Sequence, residues 1–404
     1  MALAYLGRLD EAMREGERVV AAVPFSQDAY TGAYYQHMLV RIYILAGEPV
    51  VSARLLAGLV LGSAACALHH PPDTKRPALR ELAAGRHLEI GVAVSAGALR
   101  DDPLYREWLG REFSLLSTEN AFKFGPLRPA RNRYDFRDAD AIVAFAQSHR
   151  MRIRGHTLVW KRQLPEWLTD ETFTREELLA ILHEHILRVV GRYRGRVYAW
   201  DVVNEALRNA VPEGAGLDEA MRPTLWFKGI GSDYIELAFR WAHEADPGAL
   251  LFYNEAGAEA LGPRSDAVYA LVRRLLERGV PLHGIGLQMH LAAKAPPDTA
   301  SVAANMRRLA ALGLDIHVTE MDVALAGAAG VPAEQLATQA AVYRDVLRTC
   351  LSVSRCTAFV MWGMTDRYTW RYPDTPLVLD RSYQPKPAFE ALKAVLSDSA
   401  VQAP

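Results

Sequence analysis

The feature that most constrains the fold is a regular alternation of short apolar runs with longer segments of helical period, from about residue 88 almost to the end of the chain. Eight such runs have the length and composition of strands, at 88–95, 113–117, 152–160, 197–203, 250–253, 284–290, 315–319 and 357–362. Alternation of this kind is typical of parallel α/β proteins, in which each strand is followed by a helix.

Two of the helical segments carry clear start signals. Thr174 and Glu177 have capping-box spacing before an apolar segment, so their side chains can satisfy free backbone amides at a helix start. Pro332 is expected to open a second helix that runs through Leu351.

The position of polar residues distinguishes a closed barrel from an open, doubly wound sheet. Nearly every predicted strand from the second onward ends in groups able to do chemistry: Glu119 and Asn120, His156, Asn204 and Glu205, Asn254 and Glu255, Gln288 and His290, Glu320 and Asp322, and Asp366. A barrel gathers these strand ends around one mouth. The first strand also lacks the GxGxxG loop usual in a doubly wound sheet. We therefore predict a (β/α)8 TIM barrel over residues 86–398.

The residues before the barrel are expected to form a small extension. Residues 1–50 contain two helical patterns that resemble tetratricopeptide repeats, although a stable stack needs about three repeats. Residues 51–85 contain a signal-peptide-like segment at 54–67, with Arg54 before an apolar run, followed by a linker. This segment predicts a secreted or periplasmic protein, and a buried helix is the alternative. The apolar run is too short to span a membrane.

Charge and cysteine content narrow the possible partners. The chain has 46 basic and 47 acidic residues, so it has no basic field for nucleic acid or anionic membranes. We expect an uncharged substrate and a monomer. The three cysteines form no CxxC motif, which argues against a metal site. Cys350 and Cys356 are close enough to form a disulfide in an oxidising compartment, or they are two free thiols.

Four glutamates follow predicted strands, at positions 119, 205, 255 and 320. Hydrolysis of a glycosidic bond uses two carboxyl groups, one to protonate the leaving oxygen and one to attack or stabilise the anomeric centre. Strands four and seven face each other across a ring roughly 15 Å wide, which leaves roughly 6 Å between the carboxyl groups of Glu205 and Glu320. That spacing is nearer the range of retaining enzymes than the wider inverting range.

Six motifs in this order resemble glycoside hydrolase family 10. They are STENAFKFGPLRP, RGHTLVWKRQLPEW, WDVVNEAL around Glu205, HVTEMDV around Glu320, WGMTDRYTW and YQPKPAF. The resemblance covers about 310 residues. It implies a retaining endo-1,4-β-xylanase that acts on xylan or xylo-oligosaccharides, with Glu205 as acid/base and Glu320 as nucleophile. It implies no metal and no organic cofactor.

The resemblance also implies roles for the residues around this pair. Asn204 would bind the sugar 2-hydroxyl, and Gln288 would hold the nucleophile's side of the site. His290 and Asp322 would fix the Glu320 carboxylate and help to keep it ionised. Trp362 and Trp370 would pack against sugar rings. The remaining subsite residues would line the glycone side of the cleft, namely Glu119, Asn120, Lys123, His156, Trp160 and Gln163.

Two positions depart from the family pattern. Lys161 follows Trp160 where family members often carry histidine, and Glu255 follows Asn254 where aspartate is usual. Both changes affect charge or reach beside the predicted cleft. Two other functions remain open: another β-1,4-glycanase, and a noncatalytic polysaccharide-binding scaffold.

Overall fold

A computed structural model describes residues 70–325 and 331–398 of the 404-residue chain. The tetratricopeptide-like region 1–50 and the signal-like segment 54–67 both lie outside the described residues.

Nine strands occur in the part of the chain that the structure describes. They are β1 (Glu89–Val94), β2 (Leu115–Thr118), β3 (Arg152–Val159), β4 (Ala199–Asn204), β5 (Leu250–Glu255), β6 (Gly284–Leu287), β7 (His290–Ala292), β8 (Asp315–Ala324) and β9 (Cys356–Met361). Each of the eight predicted runs overlaps one strand of the ring, so the predicted barrel strands are confirmed, although their limits differ by a few residues.

Fourteen helices occur in the described residues. They are α1 (Leu79–Ala84), α2 (Ala96–Asp101), α3 (Pro103–Glu112), α4 (Phe124–Leu127), α5 (Arg137–Ser148), α6 (Glu166–Thr169), α7 (Arg175–Arg192), α8 (Leu217–Ala220), α9 (Leu225–Ile230), α10 (Tyr234–Ala245), α11 (Pro263–Glu277), α12 (Thr299–Ala310), α13 (Ala333–Leu351) and α14 (Pro387–Ser397). None of them is long and apolar enough to cross a membrane.

The sheet closes on itself. All its strand pairs are parallel, and they run in the order β6, β5, β4, β3, β2, β1, β9, β8, with a further pairing between β6 and β8 that completes the ring. The predicted (β/α)8 barrel is therefore confirmed, and the open doubly wound sheet is excluded. Closure places the carboxyl ends of all eight strands at one mouth.

The predicted helix starts are present. Thr174 Oγ1 accepts from the Glu177 backbone N–H at 3.2 Å, and a Glu177 carboxylate oxygen accepts from the Thr174 N–H at 2.8 Å. This capping box begins α7, and Pro332 precedes α13. Helix α1 packs on the barrel, because Leu79 is buried and its N–H donates to the buried Glu112 carboxylate at 2.8 Å.

The chain departs from the predicted strand limits at one functionally important place. The predicted run 284–290 is interrupted, since β6 ends at Leu287 and β7 begins at His290. Met289 between them has a φ of 62°, a left-handed conformation that ends a regular strand. The short β7 then pairs with the end of β8, with His290 opposite Asp322. This pairing carries β8 on to Ala324, so Glu320 lies within a strand rather than after one.

Cys350 and Cys356 form a disulfide. It joins the end of α13 to the start of β9, on the outside of the ring. Of the two states that the sequence leaves open, the structure therefore contains the bridged one.

Candidate active site

Glu205 follows β4 at the mouth of the barrel. Its backbone has a φ of 55°, which is uncommon for a residue other than glycine and often marks a functional site. Consecutive residues of a regular strand point to opposite faces. Here both Asn204 and Glu205 reach Gln288, whose Nε2 lies 3.1 Å from Asn204 Oδ1 and 3.3 Å from Glu205 Oε1. The left-handed backbone therefore turns Glu205 into the cleft.

Glu320 lies on the opposite side of the mouth, in β8. Its Oε1 accepts from Asn254 Nδ2 at 2.7 Å, and its Oε2 lies 3.1 Å from His290 Nε2. The preceding residue, Thr319, also contacts Asn254, with its hydroxyl 2.7 Å from Asn254 Oδ1. The pairing of β8 with β9 is irregular between Val318 and Met321, which allows both neighbours to face the same side.

A continuous line of amide side chains connects the two carboxylates. Glu205 contacts Gln288, Gln288 donates to Asn204, Asn254 donates to Asn204 at 3.0 Å, and Asn254 also donates to Glu320. Gly286 leaves room for the buried Asn254 side chain, because a Cβ added at Gly286 would lie 2.1 Å from Asn254 Oδ1. This line of hydrogen bonds joins the two glutamates across the mouth of the barrel.

His290 is held between two carboxylates. Its Nδ1 lies 2.9 Å from Asp322 Oδ2, while Nε2 faces Glu320. Asp322 is itself fixed, because Trp370 Nε1 donates to Oδ2 at 2.8 Å and Arg371 donates to Oδ1 at 2.7 Å. This arrangement fixes the ring plane and allows a protonated His290 to donate from both nitrogens.

The charges around Glu320 favour its ionised form. Burial alone would raise the pKa of Glu320, but His156 and His290 outweigh it and hold that pKa below its ordinary value. Burial opposes the charge on His290 as well, yet Asp322 and Glu320 raise the pKa of His290 to about 10. His290 is therefore an imidazolium at neutral pH, facing a carboxylate.

A buried ion pair lies beneath the site, inside the barrel. Arg154 binds Asp201 through Nε at 3.2 Å and through a second guanidinium nitrogen, and Asp201 accepts from His156 Nδ1 at 3.0 Å. The same His156 nitrogen lies 3.8 Å from Glu320 Oε1. Arg154 also lies 2.6 Å from His317 Nδ1, which must therefore be the unprotonated nitrogen. This network orients His156 towards Glu320.

A second polar group lines the cleft between the ends of β2 and β3. Asn120 Oδ1 accepts from Lys123 Nζ and from Gln163 Nε2, each at 3.0 Å. The Lys123 ammonium lies 4.7 Å from the centre of the Trp160 ring. Burial lowers the pKa of Lys123, while Glu119 and Glu320 act against that effect. The structure thus brings together four of the residues predicted to line the glycone side, namely Asn120, Lys123, Trp160 and Gln163.

The two predicted sugar-stacking tryptophans differ in exposure. Trp370 is 48% exposed, and its ring centre lies 5.0 Å from that of His290. Trp362 is only 7% exposed and meets His156 edge to face at 5.0 Å. Trp370 therefore offers an open aromatic surface, whereas Trp362 forms part of the cleft floor.

Glu255 ends β5 and Asp366 follows β9, yet each carboxylate is paired with a basic side chain. Glu255 is fully buried, binds Arg264 at 2.8 Å and accepts from the Tyr253 hydroxyl. Burial raises the pKa of Glu255 despite Arg264. Asp366 binds Lys386 at 2.9 Å. Neither carboxylate contacts Glu205 or Glu320 through a hydrogen bond found in the described residues.

Three residues of the site received no role from the sequence. Asn254 donates to Glu320, and Asp201 accepts from His156. Lys161 places its ammonium on Glu205 Oε2. A signal for Asp201 was present, because a carboxylate inside the apolar run VYAWDVV must be paired if that run is a buried strand. The partners themselves lie too far away in sequence to be found from local patterns.

Chemically, the cleft contains two carboxyl groups in different environments. Glu320 is buried and contacts Asn254 and His290, whereas the Glu205 side chain is 17% exposed and contacts Lys161 and Gln288. Hydrolysis of a glycosidic bond uses two carboxyl groups that face one cleft in this way, one to protonate the leaving oxygen and one to attack or stabilise the anomeric centre.

Comparisons with known proteins agree with this chemistry. Residues 78–395 match the family model of Glycosyl hydrolase family 10. The chain is 40% identical over 329 residues to endo-1,4-beta-xylanase B of Thermotoga neapolitana, a match that covers 79% of this chain and 92% of that protein.

Solved structures give the same result. Native xylanase 10B of Thermotoga maritima superposes with a TM-score of 0.74 at 41% identity, covering 79% of this chain and 98% of the other. Xylanase 10B of Thermotoga petrophila RKU-1, solved in complex with xylobiose, gives 0.75 at 39% identity, covering 82% and 100%.

Proposed function

The chain belongs to glycosyl hydrolase family 10 and is a retaining endo-1,4-β-xylanase, and we propose that Glu205 is its acid/base and Glu320 its nucleophile. The substrate is a xylan or xylo-oligosaccharide chain laid across the mouth of the barrel. Hydrolysis with retention proceeds by two displacements at the anomeric carbon.

In the first displacement, Glu320 attacks the anomeric carbon while Glu205 gives its proton to the departing glycosidic oxygen. A covalent xylosyl ester on Glu320 and a shortened chain with a free hydroxyl result. In the second displacement, Glu205 takes a proton from water, the water oxygen attacks the anomeric carbon, and Glu320 is released. Both carboxyl groups return to their starting states.

The observation that supports these roles is that the two carboxyl groups differ in their hydrogen bonds and in their exposure. Glu320 receives hydrogen bonds from Asn254 and His290, and the groups around it lower its pKa. An ionised, fixed carboxylate is suited to attack. Glu205 is more exposed and its backbone turns it towards the groove, where a proton can be given to the leaving oxygen and recovered from water.

Supporting roles follow from position. Asn204 receives hydrogen bonds from Gln288 and Asn254, which leave it directed at the sugar next to Glu205. A contact from Asn204 to the sugar 2-hydroxyl strengthens as positive charge develops on the ring. We assign Asn120, Lys123, Gln163 and Trp160 to the glycone side, together with Glu119 and His156, and Trp370 to a sugar ring that stacks on its exposed face.

The decisive experiment compares hydrolysis of xylan and of soluble cellulose by reducing-sugar release. Glu320→Gln is expected to abolish xylan cleavage while binding to xylan is retained, because the amide cannot form the covalent intermediate. Glu112→Gln is the matched control, since Glu112 is also a buried glutamate but contacts Leu79 and Lys393 away from the mouth. Xylan hydrolysis that survives in Glu320→Gln would refute the nucleophile assignment.

The same assay distinguishes the other functions. Faster cleavage of soluble cellulose than of xylan would identify a different β-1,4-glycanase. Binding of xylan without any cleavage by the wild type would identify a scaffold. Two intact carboxyl groups at the cleft argue against the scaffold.

We also propose that the enzyme acts as a secreted or periplasmic monomer. The signal-like segment 54–67 and the Cys350–Cys356 disulfide support an oxidising compartment. Among the described residues, Leu261 and Trp370 are the exposed large hydrophobic side chains, which supports a monomer. Mass spectrometry of secreted material and sedimentation of the purified protein test these two proposals.

A further inference from the structure

Lys161 contacts the proposed acid/base directly. It lies in the loop after β3 and places its ammonium on Oε2 of Glu205. The two side chains are only 14% and 17% exposed, so the contact is largely shielded from water. Gln288 faces the other oxygen, Oε1. Both oxygens of Glu205 therefore have a nitrogen donor, one neutral and one able to carry charge.

We propose that Lys161 is a positioning residue for Glu205, one that holds its carboxylate and sets the upper pH limit of xylan cleavage by favouring the ionised form. This inference rests on the assignment of Glu205 as acid/base. An ammonium beside a carboxylate stabilises the negative charge, so the carboxyl group loses its proton at a lower pH. Because cleavage needs protonated Glu205, activity then declines at a lower pH than it would without Lys161.

The surrounding charges determine when Lys161 itself is cationic. Burial lowers the pKa of Lys161 to about 7, with Arg222 and Arg162 acting in the same direction. Glu255 opposes this change and Arg264 adds to it. Lys161 therefore carries its charge below neutral pH, which is the range in which a carboxyl group exchanges its proton.

Burial increases the strength of this contact. The interaction between two charges grows as water is excluded from their surroundings. On the other side of Glu205, Gln288 and Asn204 are uncharged, and Glu320 is reached only through the line of amides. Among the described residues, Lys161 is the cationic group that an ion pair joins to Glu205.

The test uses the full chain and measures kcat/KM against pH for two substrates. Xylohexaose has a poor leaving group that needs the proton of Glu205. A 2,4-dinitrophenyl β-xylobioside has a leaving group that departs without a proton. Variants Lys161→Met and Lys161→Gln remove the charge, and Lys161→Arg keeps it. Lys75→Met removes an exposed lysine on the amino-terminal side of α1, as a charge-matched control.

With xylohexaose, Lys161→Met and Lys161→Gln are expected to move the alkaline limb of the kcat/KM profile to higher pH, by about one pH unit or more. Lys161→Arg and Lys75→Met should stay at the wild-type position. With the dinitrophenyl substrate, no variant should move the alkaline limb, because its leaving group does not use the acid.

Two results would overturn the inference: an unchanged alkaline limb in both neutral variants, or an equal shift on both substrates. Glu205→Gln tests the underlying assignment separately. If Glu205→Gln still cleaves xylohexaose at the wild-type rate, Glu205 is not the acid/base, whatever the Lys161 variants show.

Discussion

The side-chain amide of Asn254 donates to Oε1 of Glu320 across 2.7 Å, although the two residues are 66 positions apart. The same nitrogen lies 3.0 Å from Asn204 Oδ1, so Asn254 links the proposed nucleophile to the other wall of the cleft. Asn254 is completely buried, and Thr319 fixes its carbonyl oxygen. The orientation of this amide is therefore determined by three neighbours.

Removal of this amide should slow catalysis. Asn254→Ala takes a donor from the Glu320 carboxylate, a hydrogen bond to a charged group worth about 1.5–3 kcal/mol. We expect kcat/KM on xylo-oligosaccharides to fall roughly 10- to 100-fold. Asn305→Ala is the matched control, because Asn305 is equally buried but binds the Ala258 and Glu259 carbonyls. Equal losses in both variants would mean that Asn254 has only a packing role.

Loss of His290 should move the acid limb of the pH profile. His290 is cationic through neutral pH and lowers the pKa of Glu320, whereas burial raises it. In His290→Asn the burial effect is less opposed, so the Glu320 pKa rises and activity is lost at higher pH as the medium is acidified.

The expected shift of the acid limb of kcat/KM is about one pH unit. His183→Asn, on the outer helix α7 against Trp241, should leave the profile unchanged. A His290→Asn profile that overlays the wild type would show that His290 does not control the ionisation of Glu320.

Azide should reveal the acid/base. Glu205→Ala lacks the proposed proton donor, so cleavage of xylan should fall roughly 10²- to 10⁴-fold. A dinitrophenyl xylobioside still forms the ester on Glu320, and azide can then attack it without a base. The product should be the β-xylobiosyl azide, identified by NMR. An α-azide would contradict retention, and an absence of rescue would contradict the role of Glu205.

The disulfide should contribute to stability without affecting catalysis. Cys350 and Cys356 close a short loop of the chain, and restriction of a loop of this size stabilises by about 2 kcal/mol in the chain-entropy model. The double variant Cys350→Ser, Cys356→Ser should unfold at lower denaturant concentration, with kcat/KM unchanged. Equal midpoints for the two proteins would show that the bridge contributes nothing to stability.

The sequence by itself determined the barrel and the position of its chemistry. Strand and helix periods are local properties, so the eight runs and the capping box at Thr174 could be predicted from neighbouring residues. Because parallel strands in a barrel all end at one mouth, the polar residues after each run, including Glu205 and Glu320, had to meet there.

Tertiary structure alone decided which side chains touch. The break between β6 and β7 at Met289, the contact of Asn254 with Glu320 and the contact of Lys161 with Glu205 depend on ring closure and on left-handed backbone at single positions. Local periodicity predicts neither ring closure nor left-handed backbone. Ring closure joins residues dozens of positions apart, and a positive φ at a non-glycine residue is imposed by its surroundings.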